Sequence, residues 1–227
     1  MLAAVRRIKS LLGGSKRRKH RSELAYWRER RAQGPLDRGI PFYRWFYVDF
    51  FGFSEDDYRG GRILDIGCGP RGSLEWADMA AERVGLDPLA DEYVRLHDRP
   101  QRMQYVAAGA ESIPFGDGHF DFVSTFNSLD HVDDVGAAIA EITRVTRSGG
   151  SQLFACDVGH EPTPTEPQAF DWEIVERFTA DWDVAWRRDY ERPTDNMYDN
   201  LRQHDRSFDH ENPRPRPGGL TAQLRRR

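Results

Sequence analysis

One stretch decides the fold of this chain: Ile63-Leu64-Asp65-Ile66-Gly67-Cys68-Gly69-Pro70-Arg71-Gly72. Its apolar residues predict a short buried strand over 62–66. The glycines after it predict a tight turn, because glycine adopts backbone angles that other residues resist and lets a ligand approach the main chain. Pro70 then predicts the start of a helix over about 71–81, whose first N–H groups would face a ligand above the turn.

A second acidic position follows twenty residues after Gly67, in the segment Gly85-Leu86-Asp87-Pro88. An acid at the end of the second strand of a βαβ unit can accept both hydroxyl groups of a ribose. The two strands and the turn between them therefore predict a site for a nucleoside-containing ligand.

Two ligand classes fit the glycine spacing. Gly67-x-Gly69-x-x-Gly72 matches the dinucleotide fingerprint, with Asp87 at the usual offset for the ribose. Asp65 favours the other class, because a carboxylate at the strand tip attracts a cationic sulfonium or an amino group and repels a pyrophosphate.

Four segments resemble, in order, the motifs of the class I S-adenosylmethionine-dependent methyltransferases, in particular the small-molecule, type 11-like group. They are residues 64–69, 85–88, 107–115 and 120–132. The resemblance extends over about residues 61–157. It implies S-adenosyl-L-methionine as the cofactor and methyl transfer as the activity.

The predicted elements from residue 61 onward alternate between strands and helices, which is typical of an α/β protein with a parallel sheet and helices on both faces. Strands are predicted over 62–66, 83–86, 103–107, 120–126 and 151–156, and helices over 71–81, 89–97, 134–147 and 168–178. The resemblance implies a Rossmann-like sheet of seven mostly parallel strands that ends in an antiparallel hairpin, here 181–187 with 219–225. The polar tail 189–219 between them is expected to be partly ordered, anchored by Tyr190, Tyr198 and Phe208.

The resemblance also implies the cofactor-binding residues. They are Asp65, Gly67, Cys68, Gly69, Arg71, Asp87, Ala110, Glu111 and Asn127. The backbone of the glycine turn would pass the methionine part, Asp65 would face its amino group, and Asp87 would bind the ribose. The main chain of Ala110 and the side chain of Glu111 would meet the adenine, and Phe126 and Asn127 would line the methionine end.

Two departures from the family pattern leave contacts open. The third glycine falls one residue late, at Gly72, so Arg71 either reaches the cofactor carboxylate or is a solvated residue of the first turn. Gly109 stands where the family often has Asp, so Glu111 or a water would replace the contact to the adenine amino group.

Methyl transfer to oxygen needs a base, for which histidine is the usual residue. His131, beyond the fourth strand, and His160, beyond the fifth, are the predicted catalytic residues, with Asp130 and Asp157 as partners. A structural role is the alternative for each histidine. No metal site is predicted, because no Cys/His spacing fits zinc; a divalent ion on His160, Asp157 and Glu161 is a minor alternative.

Charge and composition divide the chain into three predicted parts: a basic helical N-terminal arm over 1–33, an aromatic helix or lid over 34–60, and the methyltransferase domain over 61–227. Residues 1–31 contain eleven Lys or Arg and two Asp or Glu, whereas the whole chain has a net charge of −4. The arm is predicted as an amphipathic helix that ends at Gly13-Gly14-Ser15 and a second helix from Ser22 to about Ala32. A solvated tail and a contact with anionic lipid, nucleic acid or an acidic partner both remain open.

The sequence therefore predicts an enzyme that moves a methyl group from S-adenosyl-L-methionine to an oxygen or nitrogen of a small molecule, such as a sugar, a glycoside or a natural product. The alternatives are an oxidoreductase that binds NAD or a nucleotide sugar, and a non-catalytic adapter that binds the cofactor. A nucleic-acid methyltransferase is disfavoured by the acidic body of the chain. Two predicted strand-end cysteines and the lack of a signal-peptide pattern predict a cytoplasmic protein, with peripheral membrane contact through the arm left open.

Overall fold

A seven-stranded sheet forms the centre of the computed structural model, which describes residues 2–36, 40–204 and 206–227. The strands are β1 (Arg62–Ile66), β2 (Glu82–Leu86), β3 (Gln104–Val106), β4 (Phe120–Phe126), β5 (Thr146–Val158), β6 (Trp182–Glu191) and β7 (Gly218–Arg226). Their order is β3-β2-β1-β4-β5-β7-β6. The first five strands are parallel, and β7 lies antiparallel between β5 and β6. The predicted α/β fold with an antiparallel C-terminal pair is confirmed.

Helices cover both faces of this sheet. The α-helices are α1 (Leu2–Ala32), α2 (Ile40–Trp45), α3 (Ala90–Val94), α4 (Val135–Val145) and α5 (Met197–Asp199). Two of them continue as π-helices, α2 into Phe46–Phe50 and α5 into Asn200–His204. Short 3₁₀ helices occupy Glu55–Tyr58, Leu129–His131 and Trp172–Phe178.

The N-terminal arm is one helix, so the prediction of two helices separated at Gly13-Gly14-Ser15 is wrong. Helix α1 runs through this segment without a break. A glycine inside a helix costs only about 1 kcal/mol relative to alanine, and strong helix formers such as leucine, arginine and lysine flank the pair. No proline interrupts the chain before Pro35, where the helix has already ended.

The crossover from β1 to β2 is a series of turns, so the predicted helix over 71–81 is wrong. Gly72 has a φ of +68°, which a right-handed helix cannot contain. Hydrogen bonds of the i to i+3 type follow, from the N–H of Glu75 to the carbonyl of Gly72 and from Ala77 to Leu74. Leu74 and Ala77 are fully buried, so the turns still fill the space that a helix would have occupied.

Helix α4 follows the prediction closely because its local signals agree. Asp134 caps its N-terminus by accepting a 3.0 Å hydrogen bond from the N–H of Ala137. Its apolar residues recur at helical spacing and are buried against one face of the sheet, together with the 3₁₀ helix Trp172–Phe178. Helix α3 and this 3₁₀ helix are shorter than predicted, whereas β5 is longer.

Aromatic side chains cover the other face of the sheet. Phe51 stacks on Phe126 with ring centroids 5.6 Å apart, and the hydroxyl of Tyr47 lies 2.8 Å from Oγ of Ser124 in β4. The segment after β6 adds Tyr198, which packs against Phe46 at 5.0 Å. The aromatic stretch therefore forms core and positions the elements around the ends of β1 and β4. None of the described helices has both the length and the apolarity needed to cross a membrane.

Candidate active site

A cavity of about 750 Å³ opens at the carboxyl ends of β1, β2 and β4. Nine of the eleven predicted site residues line it. They are Gly67, Cys68, Gly69, Arg71, Asp87, Ala110, Glu111, Asn127 and His131. The other two, Asp65 and His160, do not.

The floor of the cavity is the glycine turn that follows β1. Gly67 and Gly69 have φ values of +71° and +55°, a backbone conformation that favours glycine. A Cβ atom on Gly67 would lie 2.3 Å from Cβ of Ser128, so this position has no room for a side chain. A Cβ on Gly69 would meet only Trp27 of α1, at 3.8 Å, so the backbone there faces the cavity.

Asp87 stands at the end of β2 beside this turn, and only 5% of its surface is exposed. Its Oδ1 accepts a 2.8 Å hydrogen bond from the N–H of Leu89, and Oδ2 accepts a longer one, 3.4 Å, from Gly69. Burial, with a smaller contribution from the nearby carboxylate of Glu23, raises the pKa of Asp87 to about 7. The carboxyl group therefore has acceptor capacity left for a ligand above Gly69.

Asp65 lies beneath the turn rather than in the cavity wall. Its carboxylate accepts hydrogen bonds from the hydroxyl of Ser73 and, at 2.7 Å, from that of Ser124. Burial raises the pKa of Asp65 to about 6, against the lowering effect of these bonds. Asp65 thus ties the chain after the glycine turn to β4, which also explains why residues 71–81 do not coil into a helix. Its predicted contact with the cofactor amino group stays a prediction.

Two loops form the wall beyond β4. Oε1 of Glu111 accepts the N–H of Asp133 at 2.8 Å, which joins the loop after β3 to the loop after β4. Asn127 adopts a φ of +51°, and its Oδ1 accepts the N–H of Asp157 at 3.2 Å. Asparagine tolerates this conformation better than most residues, and such backbone outliers cluster at functional sites.

Two carboxylates lie close to the imidazole of His131. Its Nε2 lies 3.9 Å from Oδ1 of Asp130 and 3.9 Å from Oε1 of Glu166. Asp130 is 1% exposed, and burial raises its pKa whereas the nearby His131 lowers it. Gln168 holds the loop that carries Glu166 in place, because its N–H donates to the carbonyl of Asp130 at 3.2 Å and its side-chain amide to that of Val132 at 3.1 Å.

His160 lies outside the cavity. Its Nδ1 is 3.1 Å from the carbonyl oxygen of Glu161, and its Nε2 is buried without a hydrogen-bond partner among the described residues. Asp157, its predicted partner, pairs with Arg192 at 3.3 Å, and burial raises the pKa of Asp157 to about 6. The structure therefore brings His131, and not His160, to the cavity.

Comparisons with known proteins find relatives for part of the chain. Residues 64–154 match the family model of a methyltransferase domain. A malonyl-[acyl-carrier protein] O-methyltransferase from Pseudescherichia vulneris is 34% identical over 98 residues, which are 42% of this chain and 39% of that protein. Residues 64–154 are therefore similar to a methyltransferase domain. A ubiquinone/menaquinone biosynthesis C-methyltransferase from Hahella chejuensis is 34% identical over 105 residues, 45% of this chain and 40% of that protein.

Solved structures resemble the methyltransferase domain and its flanking segments. An S-adenosylmethionine-dependent methyltransferase from Mesorhizobium loti has a TM-score of 0.59 at 17% identity, and the match covers 85% of this chain and 100% of that one. The [4+2]-cyclase SpnF has a TM-score of 0.55 at 23% identity, over 74% of this chain and 76% of its own. These likenesses show the fold. The chain spans about two fifths of the length of the curated relatives it matches.

Helix α1 is a wall of the cavity that the sequence interpretation missed. It contributes Lys19, His20, Glu23, Tyr26, Trp27 and Arg30 to the lining. The Nζ of Lys19 donates to the carbonyl of His131, and the guanidinium of Arg71 stacks 5.1 Å from the centroid of the Trp27 ring. The sequence did contain a signal for this wall, namely the bulky Tyr26 and Trp27 beside a basic run. A helix that packs on a domain needs large apolar side chains of this kind.

The opposite wall combines the predicted aromatic helix with the segment after β6. Phe42 and Tyr43 line the cavity together with Met197 and Tyr198. The rings of Phe42 and Tyr198 lie 5.8 Å apart, so the two segments form one apolar surface. Residues 194–203 were expected only to be partly ordered, and no local pattern marked them as part of the site.

The cavity is acidic. Among the described residues, seven carboxylate side chains line it: Glu23, Asp87, Glu111, Asp133, Glu166, Asp195 and Asp199. Three described cationic side chains oppose them: Lys19, Arg30 and Arg71. An excess of negative charge in a partly enclosed cavity favours a ligand with net positive charge and disfavours a pyrophosphate.

Proposed function

We propose that this protein transfers a methyl group from S-adenosyl-L-methionine to an oxygen or nitrogen atom of a small molecule. The observation that carries the proposal is the buried carboxyl group of Asp87 beside the half-buried backbone of Gly69, on the floor of an acidic cavity. A ribose with a cationic substituent matches this combination. The pyrophosphate of NAD or of a nucleotide sugar would enter a cavity with more carboxylates than cations.

The cavity residues suit each part of that cofactor. Asp87 would accept hydrogen bonds from the ribose hydroxyl groups, and the methionine part would lie along the backbone of Gly67 and Gly69. The main chain of Ala110, with Glu111 behind it, would meet the adenine. Arg71 stacks on Trp27 at the rim, where its guanidinium would pair with the cofactor carboxylate.

S-adenosyl-L-methionine supplies an activated methyl group, so the protein needs mainly to orient the acceptor and to keep water out. Helix α1 closes one side of the cavity, and Phe42, Tyr43 and Tyr198 give the acceptor an apolar wall. As the new bond to an acceptor hydroxyl forms, its proton would pass to Nε2 of His131. The adjacent carboxylates of Asp130 and Glu166 would stabilise the imidazolium.

The proposed acceptor class rests on the side chains that line the cavity wall and not on the names of the curated relatives. The two curated relatives are named for oxygen methylation of malonyl-[acyl-carrier protein] and for carbon methylation in quinone biosynthesis, so they do not agree on an acceptor. Aromatic rings with polar groups between them suit a sugar, a glycoside or a natural-product hydroxyl or amine.

Calorimetry with S-adenosylhomocysteine and with NAD tests the cofactor. We expect S-adenosylhomocysteine to bind and NAD to bind far more weakly or not at all. Asp87→Ala should weaken S-adenosylhomocysteine binding by about 1–3 kcal/mol, the cost of leaving buried hydrogen-bonding groups without a partner. Asp91→Ala, an exposed acid in the first turn of α3, is the matched control. Tighter binding of NAD would refute the proposal.

A screen of metabolite extracts with isotopically labelled methyl donor then tests the reaction. Label in a small molecule that depends on the protein supports methyl transfer and identifies the acceptor. Cofactor binding without transfer to any extract component would instead support a non-catalytic adapter.

A further inference from the structure

Three side chains on the acceptor side of the cavity point toward one another without bonding. Asp130, His131 and Glu166 offer ligand atoms that all lie within 4.8 Å of one another. The two distances from Nε2 of His131 to the carboxylates, 3.9 Å each, are too long for hydrogen bonds. The groups therefore surround a small space rather than satisfy each other.

Asp130 gives an independent sign that a ligand belongs there. The residue is 1% exposed, and its Oδ1 has no hydrogen-bond partner within residues 2–36, 40–204 and 206–227. A buried carboxylate oxygen without a partner is costly, and such groups in native proteins are usually paired or coordinate a metal. This same oxygen is the one that faces His131.

We propose that Asp130, His131 and Glu166 bind one divalent first-row transition-metal ion, of the Mn²⁺ or Zn²⁺ class. Such ions hold nitrogen and oxygen ligands at about 2.0–2.2 Å, so two neighbouring ligands on one ion stand about 3–3.6 Å apart. The observed separations of 3.9 Å are slightly longer, and small side-chain movements would bring the groups onto one ion. An imidazole with two carboxylates suits Mn²⁺, Fe²⁺, Co²⁺ or Zn²⁺ better than Mg²⁺, which prefers oxygen ligands alone.

The surroundings favour a cation. Asp133 and Glu111 line the cavity beside the cluster. Lys19 is the opposing cation, and its ammonium is already engaged with the carbonyl of His131. The carboxylates thus outnumber the ammonium around the three ligands.

The fold holds the ligands in position. Asp130 and His131 share the 3₁₀ turn Leu129–His131, and Gln168 attaches the loop of Glu166 to that turn through two carbonyl groups. His131 and Glu166 line the cavity, so the ion would keep open coordination positions toward an acceptor. A bound ion would replace the role of proton acceptor proposed above for His131, because Nε2 would then be a ligand and the charge of the ion would lower the pKa of an acceptor hydroxyl.

Calorimetric titration of the chelator-treated full chain with MnCl₂ and with ZnCl₂ tests this site without cofactor or acceptor. We expect one ion per chain, and an affinity that falls about tenfold or more in Glu166→Gln and in Asp130→Asn. Glu173→Gln removes an exposed carboxylate from the 3₁₀ helix Trp172–Phe178 and should bind the ion as the wild type does.

Circular dichroism and S-adenosylhomocysteine affinity check that the variants fold. If Asp130→Asn fails to fold, Glu166→Gln decides alone. The proposal is overturned if neither ion binds below millimolar concentration, or if Glu166→Gln binds as tightly as the wild type. Because ion binding is measured by itself, its failure is distinct from a failure of methyl transfer.

Discussion

The hydroxyl of Tyr93 in α3 donates a 2.9 Å hydrogen bond to Oε1 of Glu23 in α1. This bond joins the N-terminal helix to the methyltransferase domain directly beside Asp87, whose pKa responds to the carboxylate of Glu23. Arg31 makes a second attachment, donating from Nε to the carbonyl of Leu96 at 3.0 Å. Helix α1 is thus held over the cavity largely by polar contacts at its rim.

Tyr93→Phe should loosen helix α1 while leaving the sheet intact. The change removes a half-buried hydrogen bond to a charged group, a contact that contributes about 1.5–3 kcal/mol. We expect faster amide hydrogen exchange over residues 17–32, with little change in β1 and β4. Tyr26→Phe removes the hydroxyl of an exposed tyrosine in α1 and serves as the control. Equal exchange in α1 of Tyr93→Phe and wild type would show that this bond does not hold the helix.

The pKa of Asp87, raised to about 7, gives the free protein a defined pH dependence. The folded state keeps a proton that the unfolded state has lost above its own pKa of 3.8, so stability falls as the pH rises from about 4 to about 7. From about pH 5 to about pH 8 the loss from this group should be about 2 kcal/mol. In Asp87→Asn that contribution disappears, and the remaining dependence comes from groups such as Asp65.

Urea unfolding of the cofactor-free protein at the two pH values measures this effect. The curve of free energy of unfolding against pH should be flatter for Asp87→Asn than for the wild type. Asp91→Asn, which changes an exposed acid nearby, should keep the wild-type slope. A slope unaffected by Asp87→Asn would mean that Asp87 is ionised in the folded protein throughout this range.

Ser73→Ala should destabilise the protein, because Ser73 supports the buried Asp65 below the glycine turn. It removes one of the hydroxyl donors to the buried Asp65 carboxylate and leaves an acceptor without its partner, which costs about 1–3 kcal/mol. The irregular segment after the glycine turn would also lose its attachment to β1. Unfolding by urea at about pH 8, where Asp65 is ionised, measures the loss. Ser148→Ala, at an exposed position before β5 enters the core, should change stability by much less.

The parts of the fold with strong local signals could be predicted from the sequence. The strand over 62–66 is a short apolar run before glycines, and α4 has a capping Asp134 and apolar residues at helical spacing. The helix predicted over 71–81 does not form because Gly72 adopts a positive φ. The prediction had treated Gly72 as a residue that a helix tolerates. The hydrogen bond from Ser73 to Asp65 joins positions eight residues apart. This contact overrides the local helix propensity of the segment.

The site could be predicted only where a motif marks it. Gly67, Gly69 and Asp87 lie in recognisable segments and do line the cavity. The wall from α1 and the position of Glu166 beside His131 depend on contacts between distant parts of the chain, such as Lys19 with His131. Hydrophobic periodicity and residue spacing report on local conformation, so neither could place these groups in the site.

Gly67→Ala should be the most disruptive of the small substitutions in the glycine turn. Its φ of +71° disfavours any side chain, and the new Cβ would lie 2.3 Å from Cβ of the buried Ser128. Overpacking costs about 1–3 kcal/mol and the backbone strain about 1–2 kcal/mol, so we expect a loss of about 2–5 kcal/mol in the free energy of unfolding.

Thermal and urea unfolding measure that loss, and cofactor binding provides a second measure because the turn would shift toward the cavity. Gly116→Ala is the matched control, since a Cβ there meets no atom within 4 Å and its backbone needs no positive φ. Its stability should stay within about 0.5 kcal/mol of the wild type. A Gly67→Ala protein as stable as Gly116→Ala would show that Ser128 can move away, and that the close contact between the glycine turn and the loop after β4 is not required for the fold.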